Sequence, residues 1–202
     1  MKKSLFFALA LVSLSFTPIN DTISKKERDF AVKLLKDTEN DVLTNVKGLS
    51  DNQLKYKPAP DRWSVEECLK HIAVTEMALW HMTDSILHQA PNPDKRTGIK
   101  NTDEQLVQMI ENRTQKVKTM DPFKPENTPY TSADDALTSF KTNRAKLVAY
   151  VKTTQDDLRN HVTTMPFGPT DGYQLILFIA GHTNRHAQQI EEVKNDPGFP
   201  KQ

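Results

Sequence analysis

The sequence holds one cysteine in 202 residues. A single thiol cannot build a disulfide framework, and it excludes any zinc site made from several cysteines. Glycine is scarce too, at six residues. No P-loop, dinucleotide fingerprint or G-x-S-x-G nucleophile elbow occurs, so phosphate-cradling loops and serine-hydrolase chemistry are not expected. An excess of one charge is also missing, with 27 Lys+Arg against 26 Asp+Glu. That balance leaves no overall basic footprint, and nucleic-acid binding driven by phosphate neutralisation is not expected. The apolar run from Leu5 to Phe16 falls short of the ~20 residues that a membrane-spanning helix requires.

That run follows Lys2 and Lys3 and precedes Thr17-Pro18, the order of a secretory signal peptide. Residues 1–20 are therefore expected to direct export, to the periplasm or outside the cell, and to be removed. The remainder, 21–202, is expected to be one domain with no stable membrane insertion. No cysteine follows the run, so no lipid anchor is expected. Subtracting Lys2 and Lys3 leaves 25 basic and 26 acidic residues, a mature charge of −1. A lone cysteine suits an oxidising compartment, where a second could pair wrongly.

Most of the 12 prolines punctuate the chain at Pro58/Pro60, Pro91/Pro93, Pro122 to Pro129, Pro166/Pro169 and Pro197/Pro200. Between them lie long proline-free segments. Each opens with a capping residue three positions before an acid or amide: Ser24/Glu27, Ser64/Glu67, Thr102/Gln105, Ser132/Asp135 and Asp171/Gln174. This spacing predicts helices starting near 25, 65, 103, 133 and 172. Apolar residues then recur at three- and four-residue steps, not in alternation. In the short third segment, for example, they run Leu106, Met109, Ile110 and Val117, and no strand or hairpin signal stands out. The expected fold is all-α: a four-helix bundle with one short extra helix.

The last segment carries the chemical signal. Its inward stripe reads Leu175, Ile179, His182, His186, Ile190, Val193, with two histidines where core aliphatics belong. Four residues apart, they stand one above the other on a helix face. Buried imidazoles must satisfy their nitrogens, by hydrogen bonds or by a shared metal. His71, in step with Cys68 and Thr75, sits on or beside the inner face of the second long helix. Three inward histidines from two neighbouring helices would leave a coordination position open, as in catalytic zinc sites. His81, His88 and His161 read as surface or helix-end residues.

Trp63-Ser64, Glu67 and His71 form W-S-x2-E-x3-H, and His182, His186 and Gln189 form H-x3-H-x2-Q. In this order and on a helical background, the chain from about residue 24 to 195 resembles the DinB-like superfamily, whose members include metal-dependent hydrolases and thiol S-transferases. The resemblance implies an up-down-down-up connection with a long second link, which Pro91 to Tyr130 would supply. It also implies a divalent metal, zinc or nickel, held by His71, His182 and His186. The expected activity is hydrolysis of an unidentified small substrate by the metal and its bound water. Thiol S-transfer and non-catalytic metal or ligand binding are the alternatives, and export disfavours transfer, because the co-substrate thiols are cytosolic. The family's link to DNA damage concerns induction and implies no DNA binding. Pairing into a homodimer is left open.

Around this set, Glu67 reads either as the N3 partner of the Ser64 cap, or as an acceptor for His71 or a base toward water. Gln189 reads as an orienter of His186 or of water, or as an ordinary polar flank. Trp63 is expected to pack over the bundle end or to wall the site. Arg144 is expected to snorkel at the surface or reach into a cavity. Cys68 is expected to be a small core residue.

Overall fold

The computed structural model describes residues 23–201. The expected signal peptide, residues 1–20, lies outside the described residues. Among the described residues there are six α-helices: α1 (Lys25–Val46), α2 (Asp51–Lys55), α3 (Val65–Leu87), α4 (Asp103–Glu111), α5 (Ala133–Thr153) and α6 (Gly172–Lys194). All five predicted caps operate, each with its side-chain oxygen accepting from the backbone N–H three residues on. A sixth, Ser50/Gln53, forms a full capping box that starts the unpredicted five-residue α2. The same spacing was present in the sequence, but the helix is too short to show a period.

Helices α1, α3, α5 and α6 make the bundle, and their directions follow from end-to-end contacts. Tyr173, at the start of α6, donates to the Glu27 carbonyl near the start of α1 at 2.7 Å, and Lys194 donates to Asn45 at the other end at 3.1 Å. These two helices are parallel. Arg28 of α1 reaches the carbonyls of Val151 in the last turn of α5 and of Thr154 just after it, so α1 and α5 are antiparallel. In the same way Leu87, at the end of α3, meets Gly172 at the start of α6. The order is up-down-down-up, as the resemblance implied. Because α3 and α5 point the same way, the chain must travel the length of the bundle between them.

Residues 88–132 make that return. The link is tied at its start by Asn92, which bonds Val162 in both directions. It turns through Pro93–Gly98, lays α4 along α6, and finishes in two single helical turns, Asp121–Phe123 and Pro125–Asn127, against α3. Arg159 secures α4, binding Glu27, Asp103 and Asp171 near the starts of α1, α4 and α6 while lying 4.1 Å over the Tyr173 ring. The extra helix ends at Glu111, and Val117, expected on its face, is 74% exposed in irregular chain.

The fold is helical as expected, with one small element for which the sequence showed no strand or hairpin signal. Val162–Met165 and Gly168–Asp171 form an antiparallel hairpin joined by Pro166 and Phe167. Each strand is only four residues long, and Pro169 within the second argues against a strand on sequence grounds. A two-stranded sheet consists of edges only, so a proline can sit where its missing N–H would face away from the partner.

The apolar core is divided. One cluster packs around Leu35, Val151, Tyr173 and Ile176, the other around Val42, Leu69, Phe140 and Ile190. Arg144 contradicts both sequence expectations: it is fully buried, bound to Glu76, Thr38, Thr183 and the Leu35 carbonyl. The surface reading failed because the residue's partners lie on three other helices.

Candidate metal centre

Helices α3 and α6 run side by side in opposite directions, which brings the first turns of one against the last turns of the other. His71 on α3 thereby meets His182 and His186 on α6. The three ring centroids are 5.1, 4.4 and 4.6 Å apart, and one ligand nitrogen from each ring lies within 4.8 Å of the other two. His71 and His186 are buried, while His182 is partly exposed. His71 Nε2 lies 3.3 Å from His182 Nε2. Two nitrogens ~2.0–2.1 Å from one cation at a tetrahedral angle stand ~3.3–3.4 Å apart.

The outer nitrogens decide what this geometry fits. His71 Nδ1 is 2.7 Å from the Phe123 carbonyl oxygen, which can only accept, so the ring carries its proton at Nδ1. His186 Nδ1 faces Gln189 Oε1 at 3.0 Å. His182 Nδ1 faces Thr75 Oγ1 at 3.4 Å, and that hydroxyl donates its own proton to the His71 carbonyl at 2.7 Å. Each outer N–H therefore has an acceptor, and each inner Nε2 keeps its lone pair. Three converging lone pairs repel one another unless a proton or a cation lies between them, and the outer acceptors match the usual partners of metal-bound histidines.

Charge and burial act in the same direction. Burial pushes His71 down to about 4, against the Phe123 carbonyl. Burial, with His71 and Arg185 nearby, pushes His182 down to about 3. Burial, with the other two rings, holds His186 well below its ordinary value. The imidazoles are thus neutral near pH 7, the form that binds metal. The sign for stability follows. In metal-free protein the unfolded chain binds protons at these residues below pH ~6.5 while the native state does not. Their contribution is complete above about 6.5 and is lost as pH falls toward 4. Denaturant midpoints across that window should drop for metal-free protein, and drop less for His182→Ala/His186→Ala. Equal slopes would show that the rings do not carry the dependence.

The other expected site residues fall into place around this set. Trp63 walls it, its ring 4.8 Å from His71 and stacked 5.8 Å from His186. Gln189 orients His186 and also accepts from Arg113 at 3.4 Å. Glu67 does not accept from His71; its oxygens take the Ser64 N–H at 2.8 Å and the Lys57 ammonium at 2.9 Å. The long link delivers the Phe123 carbonyl to that position instead. Cys68 is a buried core thiol, pushed up by burial and outside the cluster. His81 and His88 are exposed, but His161 is buried, its nitrogens against the carbonyls of Asp157 and Gln89. Sequence reasoning missed Thr75 and Phe123 as partners. Thr75 is legible one turn after His71, whereas a backbone carbonyl has no signature. Over His186 opens a cleft of about 470 Å³, walled by Trp63, Arg113, Arg185 and residues 115–119.

A sequence profile of the DinB superfamily matches residues 34–190. The uncharacterized protein YuaE of Bacillus subtilis (strain 168) is 27% identical over 150 residues, covering 74% of this chain and 88% of that protein. Among solved structures, the chain is similar to YfiT from Bacillus subtilis, described as a probable metal-dependent hydrolase with an unusual four-helix bundle topology. The TM-score is 0.60 at 16% identity, over 89% of this chain and 92% of that one. At that identity the likeness establishes the fold.

Proposed function

Starting from a chain that belongs to the DinB superfamily, we propose that His71, His182 and His186 hold a divalent metal, zinc or nickel, and that the protein is a metal-dependent hydrolase of a small substrate. The observation that carries this reading is the set of outer acceptors. Phe123, Thr75 and Gln189 each take an Nδ1–H and leave the Nε2 lone pair free on all three clustered rings. A divalent cation held by His71, His182 and His186 would supply Lewis acidity and lower the pKa of its water toward neutrality. The description of YfiT as a probable metal-dependent hydrolase supports the same reading.

The chain's own residues supply position and shelter. Trp63 covers one side of the rings, and Phe178, 5.9 Å from His182, covers another. Gln189 fixes the His186 proton at Nδ1, and Arg113 holds the same Gln189 oxygen from the cleft side. Three protein donors leave a coordination position for a substrate, and His186 lines the cleft that would admit it.

Two measurements test the proposal. A ligand of the native state raises the melting midpoint by mass action, by roughly 2.7 kcal/mol of stability at a hundredfold excess over Kd. Metal-free protein should therefore melt several degrees higher in Zn2+ or Ni2+, and an unchanged midpoint would sink the metal reading. Hydrolysis of a panel of activated esters and amides should require the metal and no added thiol. Turnover only with a thiol present would point to S-transfer, and none with either would leave a binding module.

A further inference from the structure

The cleft above His186 is charged in a way the whole chain is not. Overall the sequence is nearly balanced at +1. The cleft, however, gathers Arg62, Arg113, Lys116, Lys118, Lys124 and Arg185 against three acids, Asp61, Glu126 and Glu192. Part of this charge is answered locally. Arg113 clamps Glu192 through two bonds of 2.7 Å, Arg62 reaches the same carboxylate at 3.5 Å, and Lys124 pairs with Asp121 at 2.7 Å.

Three cations are not answered. Arg185 gives its N–H groups to the backbone carbonyls of Ile110, Asn112 and Gln115. Those bonds fix the guanidinium and order the cleft wall without neutralising the charge. Lys116 and Lys118 lie on that wall, and among the described residues neither they nor Arg185 has a carboxylate within ion-pair distance. Between the lysines stands Val117, 74% exposed, and Met120 follows at 66%. They are the two most exposed large apolar side chains described. A wall of unpaired cations beside an exposed apolar group, ending at His186 of the histidine cluster, is complementary to one kind of molecule.

We propose that the cleft binds a small organic anion, a carboxylate or phosphate carried on an apolar body. Lys116, Lys118 and Arg185 hold the anionic group, Val117 and Trp63 contact the body, and the labile bond is left to face the histidine cluster. The assignment of the labile bond rests on the hydrolase reading; the anion site does not. Hydrogen bonds between ionised partners are roughly twice as strong as neutral ones, so these cations favour an anion over its neutral isostere.

Benzoate and benzamide share shape and differ in charge, and phenyl phosphate offers the other anion. Their affinities are measured calorimetrically at low salt on the zinc-loaded chain, on Lys116→Glu/Lys118→Glu, and on His182→Ala/His186→Ala. One of the two anions should bind the first form about tenfold more tightly than benzamide, a difference of roughly 1.4 kcal/mol. Which anion does so identifies the group. The preference should survive in the histidine variant and fall toward parity in the lysine variant. Equal affinities in all forms, or no detectable binding, would overturn the proposal. So would a preference lost in the histidine variant and intact in the lysine variant, because the anion would then sit on the metal. If wild-type protein takes up neither zinc nor nickel by elemental analysis yet keeps the preference, the hydrolase reading fails and the anion site stands.

Discussion

Alanine at both His182 and His186 is expected to leave the purified chain without bound divalent metal, measured by elemental analysis after expression in metal-supplemented medium. The argument is one of donor number. Each imidazole offers one ring nitrogen, the three lie within 4.8 Å of one another, and removing two leaves a single monodentate ligand that cannot compete with water. The fold should survive, because the substitutions shorten two side chains and leave the aliphatic stripe of Leu175, Ile179, Ile190 and Val193 intact. Removing an outer partner is a different experiment. Gln189→Leu or Thr75→Val keeps all three donors but frees one ring to change tautomer and turn. The expected loss is about 10–100-fold in metal affinity. A graded series, with complete loss from the histidines and partial loss from their acceptors, is specific to coordination. Undiminished metal in the histidine double variant would mean that other residues hold it.

These two classes of residue also separate what was legible in the sequence from what was not. His182 and His186 stood out because a 3.6-residue period places them on a stripe that is otherwise aliphatic, and the helix obeys that period. His71 followed from its step with Cys68 and Thr75, since the same rule applies within one helix. Phe123 was invisible. Its contribution is a carbonyl that any residue carries, delivered by the fold of a long connection whose path no local pattern sets. Arg113 was hidden for the same reason, because its role depends on which stretch of that connection lies over α6. The hairpin was missed because its four-residue strands contain too few positions to show alternation. Charge followed the same logic. A balanced total says nothing about a cleft where six cations meet, since the total averages over faces that never touch.

Arg144 is the largest departure from local reading, and breaking its pairing should have the largest effect on stability. Its Nε and Nη2 bind the two Glu76 oxygens at 2.9 and 2.6 Å, Nη1 binds the Leu35 carbonyl at 2.5 Å and Thr38 Oγ1 at 2.9 Å, and Nη2 also binds Thr183 Oγ1 at 2.8 Å. All five N–H donors are satisfied in a side chain with no exposed surface. Arg144→Met removes the guanidinium and strands the Glu76 carboxylate, at an expected cost of about 3–5 kcal/mol. For a domain of this size that is a melting shift of roughly 2–4 °C per kcal/mol. Burial already pushes the Glu76 carboxyl up, and Arg144 is what pulls it back. Without Arg144 the folded-state pKa rises further above the unfolded value. Stability is then retained below the unfolded pKa and lost as pH rises through the folded one. The cost of Arg144→Met should therefore be small at pH 5 and large at pH 8, with denaturant unfolding as the readout. Adding Glu76→Leu to Arg144→Met should recover much of the loss, because two apolar side chains bury no charge. The recovered protein should still bind metal more weakly than wild type. Glu76 adjoins Thr75 and Thr183 adjoins His182, so the ion pair holds α3 and α6 at the register that brings the three rings together. Wild-type metal affinity in the apolar double variant would show that the register is set elsewhere, and a pH-independent cost for Arg144→Met would show that Glu76 is not the stranded charge.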